Sequence, residues 1–278
     1  MDPNPKVTVM MPVYNGMPLI KLSIGSLLRQ SYQNWECIIV DDGSNDGTAQ
    51  YIDSLEDPRF LIHHFDVNKG RPIARQKALE MASGKYLAML DADDLYHPEK
   101  LALQVRFLEQ NPEVALISSA MCSFGKSTDI LRRRGTTRLE ICNFSGRGVP
   151  IHASSMMRTD RAKQFQYNPT LKLGQDVDFL RKYLKGKQFA NTPEILYYYS
   201  EFDSVNIKKI LRTYRFSAKA ALGYRQYKLA IINIAKYLIQ SIRFCFMSKT
   251  DIIKSRGTEL NDKELADFNQ YVKPYLNF

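Results

Sequence analysis

Three times in the N-terminal part of the chain a short apolar run stops in a cluster of polar side chains. Residues 7–11 run into Pro12-Val-Tyr-Asn15, residues 36–40 into Asp41-Asp-Gly-Ser44, and residues 86–90 into Asp91-Ala-Asp-Asp94. A run that is apolar at successive positions, not alternate ones, marks a strand buried on both faces. Such strands belong to parallel sheets covered by helices. Helical spacing fills the intervals: Leu19, Leu22, Leu27 and Leu28; residues 48–55; Ala74, Ala78 and Met81; and, after Pro98, Leu101, Val105 and Leu108. Residues 59–65 and 114–118 read as further strands, and the first strand is expected to end at Pro12, which has no N–H to give a ladder. The alternation predicts an α/β fold with a Rossmann-like, mostly parallel sheet flanked by helices. In such sheets ligands bind beyond the carboxyl ends of the strands, so the three polar clusters are expected to line one pocket.

The chemistry of that pocket is acidic. Side chains alternate along a strand, so Asp91 and Asp93 leave its end on one side. Two adjacent carboxylates repel unless a cation joins them, and hard oxygen ligands suit Mg²⁺ or Mn²⁺, which keep places for water and substrate phosphates. Asp93 and Asp42 are placed to address one ligand, and Asp94 is read as a cap for the helix after Pro98. The chain has neither a G-x-G-x-x-G fingerprint nor a Walker loop, which disfavours dinucleotide-binding enzymes and P-loop NTPases. Gly174-Gln-Asp-Val-Asp178 opens a later helix, where Asp176 sits in the first turn and the helix dipole favours its ionised form. Phe179, Leu180, Tyr183 and Leu184 supply that helix's buried face. Arg132-Arg-Arg134 and Ser145-Gly-Arg-Gly148 read as surface loops, and residues 189–199 as an extended stretch broken by Pro193.

Charge divides the chain. The net charge is +10, and residues 206–249 hold ten Lys or Arg with no Asp or Glu, so the whole excess lies in one segment. That asymmetry argues against a nucleic-acid binder and for one localised anionic partner. The segment reads as two long helical stretches. The second carries an apolar stripe (Ile231, Ile234, Leu238, Ile242, Cys245) opposite Asn233, Lys236, Gln240 and Arg243. A basic amphipathic helix of this kind suits an anionic membrane surface; the alternative is packing on the preceding domain. Beyond Thr250 the chain is polar and is expected to be frayed or loosely docked. The division expected is thus an α/β domain over residues 1–202 and a basic helical extension over 203–278. Four scattered cysteines without a C-x-x-C pair, a start unlike a signal peptide and no apolar run near 20 residues predict a cytoplasmic protein, peripheral on the inner face of the membrane.

Five motifs in order carry a family resemblance over residues 7–199: Val-Thr-Val-Met-Met-Pro-Val-Tyr-Asn-Gly (7–16), Ile-Ile-Val-Asp-Asp-Gly-Ser-Asn-Asp-Gly-Thr (38–48), Asn-Lys-Gly-Arg-Pro-Ile-Ala-Arg-Gln (68–76), Leu-Asp-Ala-Asp-Asp (90–94) and Gln-Asp-Val-Asp (175–178). Together they resemble the inverting family 2 glycosyltransferases of GT-A fold. The resemblance implies transfer of a sugar from a nucleotide-diphosphate donor, a UDP-sugar, to a hydroxyl of a glycan or lipid-linked acceptor, in bacterial surface polysaccharide synthesis. It implies roles residue by residue. Pro12 and Tyr14 wall the donor's base, Asp42 accepts from the uracil imide, and Arg75 lies near the nucleotide. Asp93 and Asp91 hold Mn²⁺ or Mg²⁺, with Asp91 nearer the ribose, and Asp176 is the catalytic base. His152, in a stretch similar to the family's acceptor-side strand, is a candidate acceptor contact and equally a structural hydrogen-bonder. Gln175 stands on the acceptor side where the family has Glu, and Gln76 where it has Asn. The competing readings are a nucleotidyltransferase, for which residues 12–16 make a poor phosphate loop, and a catalytically degenerate partner subunit.

Overall fold

The computed structural model describes residues 4–125, 130–146, 148–171, 173–201, 211–212, 215, 218, 222, 227–244 and 246–276. Arg147, Cys245 and most of the first basic helical stretch, from Asn206, lie outside the described residues. The chain divides into two compact units. The first comprises Met1–Cys122, Gly135–Tyr199 and Asn261–Phe278, the second Ser123–Arg134 and Ser200–Leu260.

In the first unit the expected alternation appears as β1 (Val7–Val13), α1 (Ile20–Leu28), β2 (Trp35–Asp41), α2 (Thr48–Asp53), β3 (Phe60–His64), α3 (Arg71–Met81), β4 (Tyr86–Met89), β5 (Leu95–Tyr96) and α4 (Lys100–Gln110). There follow β6 (Val114–Phe124), then β7 (Arg132–Arg134) in the second unit, β8 (Glu140–Asn143), β9 (Met156–Arg158), α5 (Thr159–Ala162), α6 (Gln175–Leu184) and β10 (Gln188–Ser200). The strand order is β3-β2-β1-β4-β9-β6-β10-β5. The first four strands are parallel; β9 runs antiparallel to both β4 and β6, so the second half of the sheet is mixed.

Period two sorts the core. Val7, Val9 and Met11 of β1, Cys37 and Ile39 of β2, and Tyr86 and Ala88 of β4 pack on one face with Ile20, Ile24 and Leu27 of α1 and Leu101, Val105 and Leu108 of α4. Met10, Ile38, Val40, Leu87 and Met89 take the other face, against Ala74 and Ala78 of α3 and Phe179, Leu180, Tyr183 and Leu184 of α6. Each such large side chain contributes about 1.5–3 kcal/mol by leaving water. Helices clamped on both faces leave only the strand ends open. At the amino ends, buried Glu36 accepts from the Thr8 hydroxyl (2.6 Å) and the Ser83 N–H (2.8 Å), closing that side.

Several expectations need correction. β1 continues through Pro12 to Val13. The Met10 carbonyl accepts from Leu90 N–H, so by alternation Pro12 also faces the β4 side, where pairing has already stopped at Met10↔Met89 and no N–H is missed. α1 buries Ile20, Ile24 and Leu27 and leaves Leu28 exposed, so the leucine spacing marks only part of its inner face. β6 does not stop at Ser118 but runs to Phe124, because the interior serines are satisfied: Ser118 Oγ donates to the Ile151 carbonyl (3.1 Å) and Ser119 Oγ to the Ala120 carbonyl (2.9 Å). Pro193 does not break β10.

The polar end beyond Thr250 is ordered. The helix Asp262–Tyr271 opens with a capping box between Asn261 and Glu264 and buries Phe268, with Val272 just past it; Phe268 meets Tyr198 and Tyr271 meets His97, while Arg29 lies 3.7 Å over the Tyr275 ring.

The second unit is described on its own. Arg132-Arg-Arg134 is a strand and not a loop: Arg133 is buried and exchanges backbone hydrogen bonds with Thr258 (2.8 and 3.1 Å), and Arg134 Nη2 reaches Glu201 Oε1 (2.5 Å). Two helices follow, α7 (Tyr227–Phe244) and α8 (Lys249–Lys254); the helix Asp262–Tyr271 of the first unit is α9.

Candidate active site

The loops leaving β1 and β2 are tied to each other. Asn15, at φ 52°, donates its N–H to Ser44 Oγ (2.8 Å), and its Oδ1 accepts from Asn45 N–H (2.9 Å). Gly16 N–H reaches Thr48 Oγ1 (2.9 Å) and Met17 N–H reaches Asp46 Oδ2 (3.0 Å). Asp42 is buried at the mouth of this pair. Its N–H bonds the Val13 carbonyl (2.8 Å), Oδ1 accepts from Lys69 N–H (2.7 Å) and Oδ2 from Gly70 N–H (2.9 Å). A carboxylate oxygen has two lone pairs, so each keeps one for a ligand. The approach requires Gly43: at φ +76° a Cβ would fall 2.8 Å from the Val67 carbonyl carbon. The Tyr14 ring is 49% exposed beside these loops, and Pro12 is half-buried.

The acidic triplet separates into three environments. Asp91 closes a turn in which its carbonyl accepts Asp94 N–H (3.1 Å), and its Oδ1 is 3.2 Å from Nη2 of buried Arg75. Burial would raise the Asp91 carboxyl, but Arg75, Arg71 and His152 outweigh it and hold it below the usual range. Asp93 is exposed. Asp94 is fully buried and accepts from the Tyr197 hydroxyl (2.6 Å), which lies 3.3 Å from the Asp91 N–H. Asp94 is therefore not the cap of the next helix, as the sequence suggested; α4 begins at Lys100 with Glu99 at its N-cap and no side-chain cap bond.

Among the described residues there is no group of three or more His, Cys, Asp or Glu side chains that would cage a metal. The two carboxylates Asp91 and Asp93 nonetheless fit a hard cation that takes one or two protein oxygens and completes its shell with water and diphosphate, as Mg²⁺ and Mn²⁺ do.

The charges of the α6 end act on Arg75. Gly174, at φ 70°, starts α6, and half-buried Asp176 stands in its first turn. Burial would lower the Arg75 guanidinium's pKa, but the charges of Asp91, Tyr167 and Asp176 raise it instead. His152 is buried with Nε2 2.9 Å from the Tyr167 hydroxyl, and its Nδ1 has no partner among the described residues. Burial and Arg75 outweigh Asp176 and Asp91 and bring its pKa down to about 4, so the ring is neutral at physiological pH. Tyr167 stacks on Phe179 (4.2 Å between centroids), and its N–H bonds Gln76 Oε1 (3.1 Å). Gln175 is buried with Oε1 lacking a partner among the described residues.

Asp91, Arg75, His152 and Asp176, drawn from β4's end, α3, the segment before β9 and α6, thus act on one another. Asp42 and Tyr14 flank the tied loops, and Asp93 is exposed. Tyr167, Tyr197, Asp46 and Arg71 were not anticipated. None lies in a periodic pattern, and only the fold brings their polar atoms to the site.

Comparison with known proteins bears on this arrangement. The family model described as Glycosyl transferase family 2 matches residues 8–170. The putative glycosyltransferase EpsE of Bacillus subtilis is 34% identical over 259 residues, covering 87% of this chain and 91% of EpsE. WfgD of Escherichia coli, a UDP-Glc:alpha-D-GlcNAc-diphosphoundecaprenol beta-1,3-glucosyltransferase, is 38% identical over 105 residues, 38% of this chain and 42% of its own. The mannosyltransferase PcManGT from Pyrobaculum calidifontis, solved with GDP-Man and Mn²⁺, superimposes with a TM-score of 0.65 at 15% identity, covering 99% of this chain and 82% of that one. At that identity the likeness shows a shared fold, the GT-A fold expected from the sequence.

Proposed function

This chain belongs to glycosyl transferase family 2 and is a glycosyltransferase, and on that premise we propose that it moves a sugar from a UDP-sugar to a hydroxyl of a glycan or lipid-linked acceptor, with inversion, in the assembly of a bacterial surface polysaccharide. The observation that carries the reading is the buried Arg75 guanidinium, which pairs with Asp91 (3.2 Å) and feels the charge of Asp176, and this supports a donor-side acid and an α6 acid serving one site. The name of WfgD supports a UDP donor and a diphospholipid acceptor.

In this mechanism the acceptor oxygen forms a bond to the anomeric carbon while the bond from that carbon to the diphosphate oxygen breaks, its electron pair leaving with UDP. Asp176 takes the acceptor's proton, the task of a carboxylate within hydrogen-bond reach of a weak nucleophile. Its place on a different element from Asp91 suits attack from the face opposite the leaving group. Asp42 orients the uracil through its remaining lone pairs, with Tyr14 and Pro12 against the base. Arg75 holds Asp91 in position. Asp93 with Asp91 would hold Mn²⁺ or Mg²⁺, which would supply positive charge to offset the charge building on the leaving diphosphate. His152, neutral and fixed by Tyr167, with Gln175 beside Asp176, forms the acceptor side. The enzyme works in the cytoplasm at the membrane face where such acceptors lie.

A screen of UDP release across UDP- and GDP-sugars, with a diphospholipid-linked sugar as acceptor, tests this. A UDP-sugar is expected to give turnover, and Asp176→Asn to keep donor affinity while losing about 10²–10⁴ in turnover rate. Turnover of that variant at the wild-type rate would place the base elsewhere, and exclusive use of a GDP-sugar would overturn the role of Asp42.

A further inference from the structure

Helix α7 sits in its unit the opposite way round from an ordinary surface helix. Ala230 and Phe244 are buried and Asn233, Tyr237 and Gln240 half-buried, so its more polar side packs inward. Ile231, Leu238 and Ile242, at i, i+7 and i+11, share the outward face, Ile231 and Ile242 each 66% exposed. Tyr227 at one end is also exposed, as is Phe246 just past the other, at 86%. Lys228, Lys236 and Arg243 are exposed at the side of this face. A helix of 18 residues is about 27 Å long. No helix among the described residues is long and apolar enough to cross a membrane.

On the inward side of α7, opposite this face, a cavity of about 260 Å³ within the same unit is lined by Arg134, Gln240, Arg243, Ser255 and Arg256 among others. Glu201, buried, accepts from Arg134 (2.5 Å) and Arg256 (2.6 Å) through one oxygen, so a single carboxylate aligns two guanidiniums. Arg243, about 100° round the helix from Ile242, is the lining residue nearest the apolar face.

We propose that α7 is an interfacial helix that beds its Ile231–Leu238–Ile242 face in an anionic phospholipid leaflet, with Lys228, Lys236 and Arg243 at the side of that face meeting the headgroup phosphates. Charge selects this occupant. Residues 206–249 carry ten bases and no acid, which complements an anionic leaflet, whereas a two-fold pairing of this face with a second copy would bring the uncompensated bases together. Aromatic residues at both ends of an aliphatic face suit the headgroup level. The proposal deepens the reading that the acceptor is membrane-borne. It is tested without turnover, so either can fail alone.

The full chain is floated with vesicles of phosphatidylcholine alone or mixed with phosphatidylglycerol, and its oligomeric state is followed by light scattering. Binding is expected only to the anionic vesicles and is expected to fall with salt. Arg243→Ala should bind about fivefold more weakly, the factor for one base near an anionic surface. The double variant Ile231→Glu with Leu238→Glu alters exposed positions and should lose binding while keeping its donor-dependent thermal shift. Leu238→Trp should show a blue-shifted emission on adding anionic vesicles, against a constant signal from buried Trp35. Equal binding to both vesicle types, wild-type binding by the double variant, or a dimer dispersed by the double variant with no vesicle binding would each overturn the proposal.

Discussion

Asp91, Asp93 and Asp94 show how little adjacency in sequence says about shared environment. Asp94 belongs to the core through Tyr197, Asp91 to a partly buried ion pair with Arg75, and Asp93 to the solvent side. Of the three, Asp93 is the exposed one, and the proposed role gives it the cation. UDP should therefore raise the melting temperature only with Mn²⁺ or Mg²⁺ present, and Asp93→Ala should remove that dependence; equal protection in EDTA would end the metal role. Arg75 is a positioning residue as much as a binding one. Its guanidinium is 7% exposed and Asp91 26%, so Arg75→Met leaves a largely buried carboxylate without its cation. That should cost on the order of 3 kcal/mol in urea unfolding, with Arg75→Lys recovering part of it.

At the scale of elements, the donor end depends on how β2, β3 and α2 finish together. His64 ends β3 with Nδ1 3.0 Å from Asp41 Oδ2 and Nε2 2.9 Å from Asp53 Oδ1 of α2. Burial lowers the imidazole's pKa, but its hydrogen bonds and attraction to Asp41 and Asp53 outweigh this, so the folded-state value lies above the ordinary 6.5. The folded state thus holds the proton more tightly than the unfolded one. The stabilisation is complete below pH 6.5 and is lost as pH rises through the raised folded value. The urea midpoint of the wild type should exceed that of His64→Gln in mildly acidic buffer, and the gap should close towards alkaline pH; a constant gap would mean that the ring serves only by packing.

The helices and strands were legible because their periodicity is local. The differences come where neighbours decide: Pro12 is harmless to β1 because its missing N–H would face no partner, and Pro193 lies within β10. β6, expected to end at Ser118, continues because the hydroxyls of Ser118 and Ser119 find acceptors, Ser118 across the fold at Ile151.

Across the whole molecule, the chain's end returns to the first unit. Phe268 and Val272 are fully buried there, each contributing about 1.5–3 kcal/mol. Truncation after Leu260 uncovers Tyr198 and His97, and should lower the melting temperature by roughly 10 °C by scanning fluorimetry. The truncated protein keeps α7, so its vesicle binding should persist; an unchanged melting temperature would show that α9 adds nothing to the unit.

What the sequence by itself determined is the α/β class, the three strand ends that carry the site, and the family to which the residues point. Those follow from apolar periodicity and from short motifs whose chemistry is contained within a few residues. Tertiary structure alone decided which acid is buried and which is open, that Arg75 pairs with Asp91, that Arg133 is interior, and that α7 turns its apolar side outward. Each of these depends on which side chains arrive from distant parts of the chain, and burial and pairing are properties of that company, not of the residue.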